Sequence, residues 1–258
     1  MQLIVVGFHR SGTSLLTQLL HTSGLFVGDD LLGAMPSNPY GHFEDREVLE
    51  LHRQIMDDHG VSWHVDEPQL FGISPAQWRE MEDFVQRRDA AHRNWGFKDP
   101  RVCFFLGAWK YLMPDAKFIM VYRDPTDCAW SLEQRHSTDY LKGSGDADAH
   151  LRFFREPDFG VKLWDAHNRA MVAFAKSHID DCLVLPFTHL YSGEPIVSMI
   201  NKKFGSDLVE VPTESVFDAR ATGSRPHPLT VYSDRVLDRM TDTWQQLEKL
   251  STLTEVPR

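Results

Sequence analysis

An eight-residue stretch near the start of the chain has the composition of an anion-binding loop. GFHRSGTS, residues 7–14, places two glycines at the sides of a turn and a cationic Arg10 between them. An apolar run precedes it and leucines with helical spacing follow it, which predicts a strand, a tight turn and a helix. Such a turn directs several backbone N–H groups and the positive end of the helix dipole at one point. The stretch therefore predicts a phosphate site formed by Arg10, Ser11, Gly12, Thr13 and Ser14.

The loop differs at one position from that of nucleoside triphosphatases. Their pattern is G-x-x-x-x-G-K-[ST], in which the lysine binds the β- and γ-phosphates and the hydroxyl binds Mg²⁺. Here Gly7, Gly12 and Ser14 keep the spacing, but Thr13 stands where the lysine belongs and the cation is Arg10. The sequence predicts the geometry of a phosphate-binding loop without ordinary ATPase chemistry. A strand-to-helix turn with no ligand is the alternative.

Three further clusters of charged residues follow predicted strands or adjoin them. Residues 98–101 read KDPR, and Arg123 follows the apolar run KFIMVY. Ser131 lies eight positions beyond Arg123, two turns into a predicted helix, so that the two side chains are expected to bind one phosphate at a second site, separate from the first loop. The last cluster is GHFED, residues 41–45, which contains His42 and Glu44.

Strands and helices alternate along the chain. Apolar runs predict strands at 3–6, within 94–101, at 117–122 and at 182–186. Helices are predicted at 13–20, 47–59 and 74–92, between 101 and 112, beginning at 124, and at 159–178, 193–204 and 233–250. This alternation favours an α/β fold, a three-layer α/β/α sandwich with a central parallel sheet, and we expect one domain over residues 1–258. Ligands of such sheets bind at the carboxyl ends of the strands, where the four clusters lie.

Three segments are expected to lack regular structure and to line the binding site. They are residues 25–45, residues 60–72, which place Trp63 and His64 near the surface, and residues 137–158, which are predicted to be mobile. Long loops in compact domains often carry function. The chain from 219 to 230 is also expected to be irregular.

Composition excludes several classes of protein. The 258 residues carry a net charge of −10, which argues against a general nucleic-acid binder or a partner of anionic membranes. No apolar stretch reaches the roughly 20 residues of a membrane span, and no signal peptide is visible. The three cysteines form no CxxC pair and are expected to be reduced core residues of a cytoplasmic protein. Neither HExxH nor G-x-S-x-G occurs, so a zinc site and a hydrolase elbow are disfavoured.

The motifs resemble those of the sulfotransferases that use PAPS, 3′-phosphoadenosine 5′-phosphosulfate. GFHRSGTS is similar to the family's loop for the 5′-phosphosulfate, and YRDPTDCAWS, residues 122–131, to its 3′-phosphate motif. KDP and GHFED resemble bacterial members in particular. The matches run over residues 7–131, about half the chain. The loop has Arg10 where the better-known cytosolic branch has lysine, and the family's RKGxxGDW element has no clear counterpart, so that Arg220 and Arg225 are the candidates for adenine-side contacts.

This resemblance implies a P-loop NTPase-like sulfotransferase fold and transfer of a sulfonate from PAPS to a hydroxyl or amine without a metal. Arg10, Thr13 and the loop amides would stabilise charge on the departing phosphate, and Lys98 would reach the sulfonate. Glu44 is the first choice of general base and His42 the second. The sequence does not specify the acceptor, which could be a small molecule, a glycan, a lipid or a peptide. It does not specify the oligomeric state either.

Other interpretations of the same residues stay open. Glu44 and Asp45 would also suit the start of the following helix as caps, and Lys98 would also suit a surface pair with Asp99. For the whole chain, the alternatives are a P-loop nucleotide kinase or NTPase, and a catalytically silent module that binds a nucleotide or glycan.

Overall fold

The computed structural model describes residues 1–33, 41–216 and 229–255. Its strands are β1 (Gln2–Val6), β2 (Trp95–Lys98), β3 (Lys117–Tyr122) and β4 (Cys182–Pro186). Its α-helices are α1 (Thr13–Thr22), α2 (Arg46–Asp58), α3 (Pro75–Ala91), α4 (Leu106–Leu112), α5 (Pro125–Leu141), α6 (Ala147–Arg155), α7 (Phe159–Ser177), α8 (Ile196–Phe204) and α9 (Asp234–Thr254). The predicted alternation of strands and helices is confirmed.

The four strands form one parallel sheet in the order β2-β1-β3-β4. Val5 of β1 lies opposite Lys98 at the end of β2, and Val6 lies opposite Met120 of β3. Because all strands run in the same direction, their carboxyl ends lie along one edge of the sheet. The loops after β1, β2 and β3 therefore leave the sheet side by side, with the first loop in the middle.

Alternate residues of each strand pack into two separate cores, one on each face of the sheet. Ile4 and Val6 of β1 belong to the larger core, which also contains buried residues of α2, α3, α4, α5, α7 and α9. Leu3 and Val5 belong to the smaller core, with buried residues of α1 and α8. This period of two is that of a strand with both faces covered. The predicted three-layer α/β/α sandwich is thus confirmed.

Several helices begin where the sequence predicts a cap. The Asp124 side chain accepts hydrogen bonds from the N–H groups of Thr126 and Asp127 at 2.8 and 3.0 Å, and Pro125 takes the first helical position of α5. Ser74 and Gln77 form the predicted capping box of α3. These local contacts satisfy N–H groups that the helix itself leaves without partners.

The prediction of an irregular excursion at residues 137–158 is wrong. Helix α5 continues to Leu141, and α6 forms a separate helix that is capped by the Asp146 side chain. Four of its nine residues are polar or charged, and His150 and Phe153 are buried on one face. The helical spacing of only two buried side chains is too weak a signal to find in the sequence, and packing against α5 decides the structure.

The other predicted loops have mixed outcomes. Residues 60–72 do connect α2 and α3 without a helix or strand, and Trp63 and His64 are half-buried there. In the segment 25–45, the stretch 34–40 lies outside the described residues, as does most of 219–230. Helix α8 begins at Ile196, three residues later than predicted. In the described part of the chain, no helix is both long enough and apolar enough to span a membrane.

Candidate active site

The loop between β1 and α1 is shaped by two residues in the left-handed conformation. Arg10 has a φ of 67° and Gly12 a φ of 94°. Gly12 is the N-terminal cap residue of α1, and no side chain within the described residues accepts hydrogen bonds from the first turn of that helix. The N–H groups of this turn and the helix dipole therefore favour an anion in front of α1.

The polar side chains after Arg10 do not all face this position. Ser11 is fully buried, and its Oγ lies 3.6 Å from Cys128 Sγ. Thr13 is also buried, while Ser14 Oγ donates a hydrogen bond to the His42 carbonyl oxygen at 3.0 Å. The backbone of this turn, rather than the Ser11 hydroxyl, is thus the part of the loop that is available to a ligand.

The side chains of Arg10 and Arg123 both make contacts beside the loop. Arg10 Nε donates to Ser131 Oγ at 2.8 Å, and Arg123 Nη1 donates to the Arg10 carbonyl oxygen at 3.3 Å. The sequence predicts a site at Arg123 and Ser131 that is separate from the first loop. The structure instead joins both residues to Arg10, because β1 and β3 are neighbours in the sheet. The residues of the two predicted anion sites are therefore adjacent in the fold.

Arg123 is held in place by its surroundings without being neutralised completely. Its guanidinium lies over the Phe187 ring, 4.6 Å from the centroid, and its Nη2 lies 3.4 Å from Asp127 Oδ2. Its Nε is buried and has no hydrogen-bond partner within the described residues. Burial, followed by the charges of Arg135 and Arg123, lowers the pKa of Arg10 from its usual value. A cationic site with a buried donor lacking a partner is suited to an anion.

Lys98 and Glu44 form a buried ion pair at the end of β2. Lys98 Nζ donates to Glu44 Oε1 at 2.7 Å and to the His42 carbonyl oxygen at 3.1 Å. Lys98 is 3% exposed and Glu44 5%, so the alternative of a surface lysine paired with Asp99 is wrong. His42 Nδ1 lies 3.8 Å from Glu44 Oε1. Burial, then the charge of Lys98, lowers the pKa of His42 to about 4, which keeps this imidazole neutral at pH 7.

The structure also distinguishes the two acidic residues of GHFED. Asp45 is the cap of α2, because its side chain accepts a hydrogen bond from the Glu47 N–H at 3.0 Å. Asp45 also accepts from Arg88 Nη2 at 2.7 Å. Glu44 points instead toward Lys98 and makes no capping contact among the described residues. The capping interpretation therefore applies to Asp45 alone.

A buried chain of hydrogen bonds supports the KDPR loop from behind. Trp109 Nε1 donates to His52 Nε2 at 2.8 Å, so His52 carries its proton on Nδ1 and donates it to Asp99 Oδ2 at 2.8 Å. Asp99 Oδ1 accepts from Arg101 Nη1 at 2.7 Å. Sequence reasoning missed this network, because His52 lies on α2, 47 residues from Asp99 in the chain. It fixes the backbone that carries Lys98.

Imidazole and aromatic rings form a second group that the sequence did not reveal. The His9 ring lies 4.6 Å from Trp63, which stacks on His136 at 5.5 Å. Burial is the main cause that lowers the pKa values in this group, to about 4 for His64 and about 3 for His136, and well below 6.5 for His9. The Nε2 atoms of these three histidines have no hydrogen-bond partner within the described residues. We call His9, Trp63, His64 and His136 the imidazole cluster.

Gly12→Ala tests how tightly the loop is packed, and we expect it to be strongly destabilising. A Cβ atom at Gly12 would lie 2.4 Å from Phe187 Cδ2, the ring under Arg123, and the φ of 94° disfavours any side chain. Gly24→Ala is a matched control, since Gly24 has a φ of 101° but no described atom within 4 Å of the new Cβ. Urea denaturation should show a loss for Gly12→Ala that exceeds that of the control by about 1–3 kcal/mol. Equal losses would mean that Phe187 moves aside freely.

The family model described as the sulfotransferase family matches residues 2–193 of this chain. The matched range contains every one of the site residues described above. The chain belongs to the sulfotransferase family. The protein is thus a sulfotransferase enzyme, and the resemblance of its motifs to those of sulfotransferases is confirmed.

Several solved structures are similar to this sulfotransferase. A sulfotransferase from Alicyclobacillus acidocaldarius aligns over 97% of this chain and 95% of its own, with 17% identity and a TM-score of 0.52. Sulfotransferases from Mycobacterium tuberculosis and Mycobacterium avium, each 14% identical, cover 98% and 93% of the chain and 76% and 67% of their own, with TM-scores of 0.47 and 0.48. No curated protein matches the chain significantly in sequence. The first of these similarities confirms the P-loop-like sulfotransferase fold.

Two predictions for this sulfotransferase stay predictions. One concerns contacts of two arginines with the adenine side of the donor, and the other is that the enzyme needs no metal. Arg220 and Arg225 lie outside the described residues, so their expected adenine-side contacts are not part of the site described here. Among the described residues, no three His, Cys, Asp or Glu side chains are grouped to hold a metal ion.

Proposed function

We propose that this sulfotransferase moves a sulfonate group from PAPS to a hydroxyl or amine of its acceptor. The observation that supports this donor is the direct contact between Arg10, Ser131 and Arg123 in front of α1. It gives one continuous site with two cations and a helix N-terminus. PAPS carries a 5′-phosphosulfate and a separate 3′-phosphate on one adenosine, and it is therefore an appropriate ligand for such a site.

The residues of this site suit the two ends of the donor. The first-turn N–H groups of α1 and Arg10 would bind the 5′-phosphate, with Gly12 allowing close approach of the backbone. The unpartnered Nε of Arg123 and the hydroxyl of Ser131 would bind the 3′-phosphate, as the motif implies. Thr13 at the position of the P-loop lysine leaves Arg10 as the cation of the loop, which favours this donor over a Mg²⁺-bound triphosphate.

The ion pair at the end of β2 would serve the transfer itself. The donor supplies an activated sulfonate and a phosphate leaving group. The acceptor oxygen forms a new bond to sulfur as the bond from sulfur to the 5′-phosphate breaks, and the electron pair of that bond stays on the phosphate. Glu44 would take the proton of the acceptor hydroxyl, and Lys98 Nζ, 2.7 Å from Glu44 Oε1, would hold the side chain in position. His42, neutral at pH 7, is the second candidate for this proton.

Lys98 and Arg10 would stabilise the charge that develops during transfer. Lys98 Nζ is fixed by Glu44 and by the His42 carbonyl oxygen, so little reorganisation is needed when the sulfonate oxygens approach it. Arg10 is fixed in the same way by Ser131. Groups held in advance contribute more to catalysis than mobile ones, because they do not have to be ordered during the reaction.

Two broader proposals accompany this function. We expect residues 1–258 to act as one sulfotransferase domain. We also expect the enzyme to be cytoplasmic, because its three cysteines are free and buried and form no disulfide. Its acceptor is expected to be a small molecule, a glycan or a lipid.

Thermal unfolding with nucleotides tests the choice of donor. PAP, the desulfated product, should raise the melting temperature of the enzyme, and a ligand present at 100 times its Kd stabilises by about 2.7 kcal/mol. ATP with Mg²⁺ should have little effect, because the loop has no lysine at position 13. Arg123→Gln should reduce the response to PAP more than the response to adenosine 5′-phosphosulfate, which lacks the 3′-phosphate. Stabilisation by ATP with Mg²⁺ but not by PAP would contradict the proposal and favour a kinase.

A further inference from the structure

Arg135 lies one helical turn beyond Ser131 on α5 and has no role in the function proposed above. Residues four positions apart lie on the same face of a helix, about 6 Å apart along its axis. Because Ser131 Oγ contacts Arg10 Nε at 2.8 Å, this face of α5 is directed at the donor loop. Arg135 is therefore placed next to the site, but on the side away from the end of β3.

The charge of Arg135 is less well compensated than those of Lys98 and Arg101. In the described part of the chain its closest carboxylate oxygen is Asp139 Oδ2 at 3.8 Å, which is beyond hydrogen-bond distance. Lys98 and Arg101, by contrast, each have a carboxylate oxygen at 2.7 Å. The Arg135 side chain is 23% exposed. Its guanidinium donors are thus available to a molecule that enters the site.

Apart from Asp139, the described groups on which the charge of Arg135 acts are cationic or neutral. Its charge acts on Arg10 of the donor loop, on His9 and His42, and on the adjacent His136, and it contributes to lowering the pKa of each. These three imidazoles are neutral at pH 7, so none of them compensates Arg135. His9 and His136 belong to the imidazole cluster, where Trp63 lies between them. Apart from Asp139, no acidic residue forms an ion pair with Arg135 in the described chain.

We propose that Arg135 binds an acidic group of the acceptor. This inference rests on the proposed function, and it narrows the acceptor to a molecule that carries both a hydroxyl or amine and a carboxylate, sulfate or phosphate group. The two phosphates of the donor have Arg10 and Arg123 as their cations, whereas Arg135 lies between the donor loop and the imidazole cluster. A planar guanidinium binds such an oxyanion with two parallel hydrogen bonds.

Two pairs of small ligands, in each of which a neutral polar group replaces a carboxylate, test the acidic-group preference. We would titrate the enzyme, with and without saturating PAP, with glucuronate against glucose and with 4-hydroxyphenylacetate against its amide. Wild-type enzyme should bind the anionic member of at least one pair about tenfold more tightly than the neutral member. Arg135→Gln should abolish the difference, and Arg135→Lys should retain part of it, because lysine keeps the charge without the planar fork.

Two controls separate this inference from the function on which it rests. Asp139→Asn should keep or increase the preference for the anion, since it removes only the weak partner of Arg135. In Arg135→Gln the affinity for PAP should fall by less than about threefold, because Arg135 acts on the donor site only through the charge that also reaches Arg10. A tenfold loss of PAP affinity in that variant would make Arg135 a donor contact and would overturn the inference. The inference would also be overturned if the wild type bound the anionic and the neutral member of both pairs equally well. Failure of the wild type to bind PAP would instead contradict the proposed donor, while the comparison of ligands without PAP would still decide the role of Arg135.

Discussion

Glu44→Ala is expected to lower the free energy of unfolding by about 3–5 kcal/mol, because it leaves the Lys98 ammonium buried without its carboxylate. Lys98 is 3% exposed, and its remaining hydrogen bond goes to the His42 carbonyl oxygen. Removing one partner of a buried pair costs far more than the pair itself contributes. Urea denaturation followed by circular dichroism would measure this loss.

The exposed pair of Glu50 and Arg53 provides the control for that experiment. Its atoms are also 2.7 Å apart, but the two side chains are 44% and 52% exposed. Glu50→Ala should therefore cost at most about 1 kcal/mol. Similar losses for Glu44→Ala and Glu50→Ala would mean that water reaches the pair at Lys98.

Glu44→Gln separates the chemistry of this residue from its effect on stability. The amide oxygen can still accept a hydrogen bond from Lys98, but it cannot take a proton from the acceptor. We expect PAP affinity to stay within about twofold and transfer to fall by about 10²-fold or more. Unchanged turnover would exclude Glu44 as the base, and His42→Gln would then be the variant to measure.

The second large effect is expected on acidification, since the fold buries neutral imidazoles. His42, His136 and His167 are each at most 6% exposed, and burial is the main cause that lowers their pKa values, to about 4, 3 and 4. Between pH 6.5 and these values the unfolded chain binds protons that the folded chain excludes. Stability therefore falls as the pH falls through this window.

Hydrogen-bond partners explain why these rings resist a second proton. His167 Nδ1 donates to the Leu163 carbonyl oxygen at 2.8 Å, which leaves its Nε2 without a proton. His150 Nε2 donates to the Ser144 carbonyl oxygen, so His136 Nδ1 must be the donor in its 2.7 Å contact with His150 Nδ1. In both His136 and His167 the unprotonated Nε2 is buried and has no partner among the described residues.

Measurement of the free energy of unfolding from pH 7 to pH 5 checks this expectation. Each of the three histidines should account for a loss of about 1–2 kcal/mol over that range. His136→Gln should reduce the slope of stability against pH. A stability that does not change over this range would show that the imidazoles are solvated or already charged.

The local parts of the site are those that could be predicted from the sequence. The loop at residues 7–14 follows from an apolar run, two glycines and a leucine pattern that lie next to each other in the chain, and Asp124 caps α5 through residues two and three positions away. Contacts over such short separations depend on residue type and spacing alone. The prediction at residues 137–158 failed for the opposite reason, because α6 buries His150 and Phe153 by packing in the folded chain, which local spacing does not determine.

The sequence by itself determined the α/β class, the phosphate-binding loop and the family to which its motifs point. Only the tertiary structure decided that Glu44 pairs with Lys98, 54 residues away, that Arg10 contacts Ser131, 121 residues away, and that Asp45 rather than Glu44 caps α2. The physical reason is that strand order β2-β1-β3 brings three loops to one edge of the sheet. Neither this order nor the burial that neutralises the histidines is encoded in any local spacing of residues.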